Sequence, residues 1–128
     1  YWLGQLGGSL PTLELPLDKT RPRLPDFRGG TIEVNIDKDM ADELHRLMAE
    51  TGTTLYMILL AVYSILLSKL SGQEDIVVGS PAAGRPHADL ERVIGMFVNT
   101  LALRTYPKGE KTFADYLNEV KETALSAF

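Results

Sequence analysis

Cysteine is absent from the 128 residues, histidine occurs twice and tryptophan once. Without a thiol there is no disulfide, thiolate metal site, iron–sulfur cluster or cysteine nucleophile, and the composition suits a reducing, cytoplasmic setting. An excess of positive charge is also lacking. Thirteen Lys+Arg stand against seventeen Asp+Glu, net −4, with no basic block. That argues against nucleic acid or an anionic membrane as partners. The opening Tyr1-Trp2-Leu3-Gly4 has neither the basic start nor the apolar run of a signal peptide, and no initiator Met. It reads as excised from something longer. What is present is enough apolar material, 45% of residues, to bury a core.

Residues 1–30 differ from residues 31–128. Four of the seven prolines (Pro11, Pro16, Pro22, Pro25) fall in the first stretch, together with Gly4, Gly7, Gly8, Gly29 and Gly30. Proline fixes its own φ and lacks a donor, so this stretch predicts an extended connector laid over a surface rather than a central strand or long helix. Leu13, Leu15 and Leu17 alternate and could dock on a partner lobe. Residues 31–37 also alternate, with Ile32, Val34 and Ile36 on one side, which predicts a half-buried strand. Asp37 or Lys38 opens a helix to about Thr51 with Met40, Leu44, Leu47 and Met48 as its stripe, stopped by Gly52. Thr53 or Thr54 caps a second helix over 55–70, closed by Ser71-Gly72. That helix is apolar nearly all round. At 16 residues it falls short of the roughly 20 needed to span lipid, so it reads as a buried core helix.

Residues 75–79 predict a strand covered on both faces, followed by a polar loop and a short helical turn over Leu90–Ile94. Residues 97–105 predict another strand, with Phe97, Asn99, Leu101 and Leu103 on one face and Val98, Thr100, Ala102 and Arg104 on the other. Thr112-x-x-Asp115 opens a last helix with the stripe Phe113, Tyr116, Leu117, Val120 and Ala124. The expected order is β-α-α-β-(α)-β-α, an α/β fold with a mixed sheet and packed helices.

Little of this carries chemistry. His45 lies among Glu43, Arg46 and Glu50 and reads as a solvated helix face; His87 sits in a loop beside Arg85 and Asp89, a surface residue or a base. Neither has the companions that zinc needs. Gly4-x-x-Gly7-Gly8 follows no strand and has no P-loop lysine. Two features stand out. Gly79-Ser80-Pro81-Ala82-Ala83-Gly84-Arg85 is a run of small residues ending in a fixed charge. It is either an ordinary strand exit or a place of close approach where Arg85 pairs with a carboxylate from another element. Asn99 places an amide on an apolar strand face, where burial would demand a hydrogen bond. It could tie down a loop or line a channel.

Ile94-Gly95-Met96-Phe97-Val98-Asn99-Thr100-Leu101-Ala102-Leu103-Arg104 closely resembles a core motif of condensation domains in nonribosomal peptide synthetases. Leu70 to Arg85 resembles the segment that precedes it. Tyr1-Trp2, Leu15-Pro16-Leu17-Asp18 and Phe27-Arg28-Gly29-Gly30 match the same pattern. The resemblance implies part of a two-lobed, chloramphenicol-acetyltransferase-like fold, with residues 1–30 as the interlobe connector and 31–128 as part of the C-terminal lobe. It implies that the parent forms an amide bond between an acyl or peptidyl thioester and an aminoacyl thioester, both carried on phosphopantetheine arms of carrier domains. No cofactor is bound directly. The family's His-His-x-x-x-Asp-Gly motif is not in this chain, so no catalytic residue is assigned and the isolated chain is expected to be inactive. Arg85 looks like the arginine that pairs with the motif Asp, and Asn99 supports the site. Gly79, Ser80, Pro81, Gly84 and Phe97 are the implied wall of a tunnel between lobes. The expected partners are the N-terminal lobe, peptidyl carrier domains and, for the chain alone, further copies of itself. A cyclisation-type relative and a non-catalytic carrier-binding fragment remain open.

Overall fold

The computed structural model describes residues 1–24, 29–85 and 87–128. Phe27 and Arg28 of the connector motif, Pro25 and Pro86 lie outside the described residues. The chain begins with a four-residue helix, α1 (Trp2–Gln5), and then runs without regular structure to Asp37 over the residues described.

α2 (Lys38–Thr51) starts where the Asp37 carboxylate accepts the Met40 amide at 2.9 Å and stops at Gly52, whose φ of 60° is left-handed. Leu44, Leu47 and Met48 of its stripe pack on the core, whereas Met40 is 55% exposed. α3 (Leu55–Ser71) is capped by the Thr54 hydroxyl and ends at Gly72 with φ 71°. Its buried residues are Met57, Ile58, Leu60, Ala61, Ser64 and Leu67. The opposite stripe, Leu55, Leu59, Val62, Tyr63, Leu66 and Leu70, is exposed. The expectation of a helix buried all round is therefore corrected: α2, α4 and the sheet cover one side only. No single helix among the described residues is long and apolar enough to cross a membrane.

β1 (Ile76–Ala83) and β2 (Val98–Thr105) form a two-stranded antiparallel sheet. The register pairs Ile76 with Thr105, Val78 with Leu103, Ser80 with Leu101 and Ala82 with Asn99. These residues face the helices, because side chains alternate along a strand. Val77, Gly79, Pro81 and Ala83 face away, with Arg104, Ala102, Thr100 and Val98 across from them. β1 is thus covered on one face, not two. It also runs four residues past the expected end at Gly79, since the small run pairs with β2; Pro81 is tolerated because β1 is an edge strand. Between the strands, a 3-10 turn spans Ala88–Leu90, earlier than the turn expected over Leu90–Ile94.

α4 (Phe113–Ala127) is capped by Thr112, whose hydroxyl accepts the Asp115 amide. It buries Tyr116, Leu117 and Val120 against Ile58, Leu60, Ala61 and Leu103, and Ala124 is buried one turn further on. Full burial of a side chain such as Leu103, 0% exposed, contributes roughly 2 kcal/mol. The Tyr116 hydroxyl donates to Thr105 Oγ1 at 3.0 Å, joining α4 to the end of β2.

Residues 31–37 form no strand. Ile32 and Val34 are 91% and 82% exposed. Alternation marks a segment that can bury one face, and among the described residues no strand pairs with this one.

Candidate functional site

The site residues singled out from sequence run along the β1–β2 hairpin, from Gly79 in its middle to Arg85 and Phe97 at its tip. Gly84 continues the pairing beyond Ala83, its amide donating to Phe97 O at 2.8 Å. A Cβ on Gly84 would sit 2.3 Å from that same oxygen, so the close approach requires glycine. Arg85 then turns its side chain along the connecting loop. Nη1 donates to Leu90 O and, at 2.9 Å, to Val93 O; Nη2 donates to Gly95 O at 3.2 Å. The guanidinium stacks 4.1 Å above the Phe97 ring, a favourable cation–π geometry. Arg85 thus organises the whole loop from 88 to 97. Around it, Ile94, Met96 and Val98 are 101%, 93% and 63% exposed, an apolar tip held in place by one charged side chain.

Asn99 is exposed, and its Oδ1 accepts the neighbouring Thr100 amide at 2.8 Å. The expectation of a buried amide is corrected. Its face is the one expected, but only Leu101, Leu103 and Thr105 gain cover along that face of β2. Ser80 is buried, 6% exposed, and with Tyr56 and Pro81 borders two apolar cavities of about 380 and 240 Å³ beside α3. Gly79 is exposed on the other face, where a Cβ would meet Thr100 Cγ2 at 3.2 Å. Gly79 nonetheless borders the smaller of these cavities together with Ser80 and Pro81, whereas Gly84 and Phe97 lie at the hairpin tip. A further cavity of about 450 Å³, beside Lys69, Lys108 and Lys111, is bordered by none of the tunnel candidates.

Both histidines have local duties. His45 Nδ1 donates to Ala41 O at 2.8 Å on exposed α2. His87 Nδ1 accepts the Asp89 amide at 3.3 Å and caps the 3-10 turn. Among the described residues no cluster of metal-ligating side chains occurs.

Reading the sequence missed the opposite end of the hairpin. Arg104 meets Asp75 side-on, Nε to Oδ1 at 2.9 Å and Nη2 to Oδ2 at 2.7 Å. The Asp75 hydrogen bonds raise its pKa, against the opposing effect of burial. The available signal was a lone charge ending the uncharged strand segment Val98 to Leu103.

The condensation-domain family model matches residues 1–128. The chain is 66% identical over its whole length to surfactin synthase subunit 1 of Bacillus subtilis (strain 168), of which it covers 4%. It is 88% identical over its whole length to one of the plipastatin synthase proteins of the same organism, of which it covers 5%. Among solved structures, a four-domain nonribosomal peptide synthetase bound to AMP and glycine matches 98% of this chain with TM-score 0.92 and 26% identity; 10% of that chain is covered. The X-domain from teicoplanin biosynthesis matches 98% with TM-score 0.88 and 27% identity, and 28% of it is covered.

Proposed function

The chain belongs to the condensation-domain family, and from that premise we propose that it serves nonribosomal peptide synthesis as part of a larger amide-forming domain. In the complete domain, the amine of a downstream aminoacyl thioester attacks the carbonyl of an upstream acyl or peptidyl thioester. A C–N bond forms, the C–S bond breaks, and the thiol of the upstream phosphopantetheine arm leaves. Residues 1–30 connect the lobes and residues 31–128 supply part of the second. The partners are the other lobe and the carrier domains that present both arms. The exposed stripe of α3 supports self-association of the chain on its own.

The observation that carries this reading is the hairpin tip. Arg85 uses three of its five N–H groups on loop carbonyls. Two remain without a partner among the described residues, beside an apolar surface. That suits an arginine that fixes its own loop and also meets a carboxylate across an interface. Gly79, Ser80, Pro81, Gly84, Phe97 and Asn99 serve as wall and support along the hairpin, and no residue of this chain takes the proton from the amine.

A single-turnover assay with two loaded carrier proteins tests the reading. The complete domain containing this segment should form the amide, and the 128-residue chain alone should give no product above the no-enzyme control. Product from the chain alone, or none from the complete domain, overturns it.

A further inference from the structure

We propose that Arg104 is a positioning residue that straps residues 1–14 onto the α/β body, so that the chain pivots after Glu14 rather than at its start. A guanidinium carries five N–H groups, and here each has a partner. Two go to Asp75. The others go to Gln5 O at 3.0 Å and Gly7 O at 3.3 Å from Nη1, and to Ser9 O at 3.3 Å from Nη2. The side chain is 9% exposed, and its guanidinium lies 5.6 Å from the Tyr106 ring. A charge this enclosed persists because it is paired and fully hydrogen-bonded.

Two glycines shape the strap. A Cβ on Gly7 would lie 2.8 Å from Leu3 O, and Gly8 has φ 77°, a conformation that side chains disfavour. The turn they allow brings the three carbonyls to one cation. This accounts for Gly7-Gly8, which has no phosphate-binding context. The strap is tied at both ends as well. Tyr1 Oη donates to Thr123 O on α4 at 3.2 Å. The Gln73 amide donates to Thr12 O at 3.0 Å and accepts from Glu14 N at 2.9 Å. Among the described residues, none from 15–24 or 29–36 hydrogen-bonds to the helices or the sheet. On the reading of residues 1–30 as an interlobe connector, the movable part then begins after Glu14; the strap itself stands whether or not that reading holds.

Trp2 is the one tryptophan, 38% exposed and packed edge-on against Tyr1 at 4.7 Å, so it reports on the strap alone. Time-resolved fluorescence anisotropy of the 128-residue chain should show Trp2 tumbling with the body. In Arg104→Lys, which keeps the charge but loses the planar fork, the amplitude of the fast nanosecond component should rise about two-fold or more, with a red-shifted emission and unchanged far-UV circular dichroism. Arg92→Lys, an exposed control, should change neither. Gly8→Ala and Gln73→Ala disturb only the strap and should also release Trp2, which decides the matter if Arg104→Lys does not fold. A Trp2 that stays rigid in folded Arg104→Lys, or in both strap variants, overturns the proposal.

Discussion

The two ends of the β1–β2 hairpin are each organised by an arginine, and the arginines differ in what they leave over. At the base, Arg104 is saturated within the chain by a carboxylate and three carbonyls. At the tip, Arg85 holds three carbonyls and a phenyl ring but meets no carboxylate among the described residues. The base also has Tyr116 and Thr105 joined beneath it, whereas the tip ends in exposed Ile94 and Met96. The same residue type closes the structure where all its donors are used and presents a surface where some remain. The base is the part of the hairpin that folding completes within the chain, and the tip is the part suited to a partner.

The largest effect should come from breaking what both ends share. Leu103→Ala empties a fully buried site between β2 and α4 and should cost about 3 kcal/mol. Urea denaturation should show a lower midpoint at unchanged slope; a loss below about 1 kcal/mol would mean that the hairpin is not seated on the helices.

A smaller effect should separate the tip from the middle of the hairpin. Gly84→Ala drives a Cβ into Phe97 O and should cost about 2 kcal/mol, whereas Gly79→Ala meets only the Thr100 methyl and should stay within about 0.5 kcal/mol. Thermal melts of the pair measure this contrast. Equal shifts would show that the close approach at Gly84 is not a constraint.

The smallest effect concerns the base at high pH. Burial pushes the Tyr116 hydroxyl above its ordinary range, against the opposing effect of its hydrogen bond with Thr105. The unfolded chain therefore loses that proton first. The stability tied to the neutral ring is complete below about pH 10 and is lost as pH rises beyond it. Tyr116→Phe should lose about 1 kcal/mol near neutrality with the Thr105 bond, yet fall less steeply than wild type above about pH 10. Parallel alkaline profiles would contradict the account of Tyr116.

Much of this is legible in the sequence. The caps Asp37, Thr54 and Thr112 and the stops Gly52 and Gly72 act over one helical turn, so neighbouring residues announce them. The face assignment of Leu103 against Arg104 follows from strand alternation. Other readings failed where the deciding partner is remote. Ile32, Val34 and Ile36 show that a face can be buried without showing what buries it. Ser80 to Ala83 look like a strand exit because proline and small residues usually are one; their pairing with residues 98–101 is not visible locally. Asn99 lies on the face that alternation predicts yet is exposed, since alternation does not say where the helices end. The three carbonyls that Arg104 holds lie 95 to 99 residues away, beyond any local pattern. At the tip, the motif was recognisable, but that Arg85 spends most of its donors on its own loop was not.

The central claim is that the tip arginine serves a partner surface while the base arginine serves the chain itself. Single-turnover amide formation by the complete condensation domain containing this segment tests it most directly, comparing Arg85→Lys, Arg85→Ala and His87→Ala. The account predicts that both Arg85 variants lose at least about ten-fold in rate, with lysine rescuing poorly because an ammonium lacks the two-pronged geometry, while His87→Ala stays near wild type. Near-normal rates for Arg85→Ala together with a collapse for His87→Ala would contradict it and move the functional role to His87.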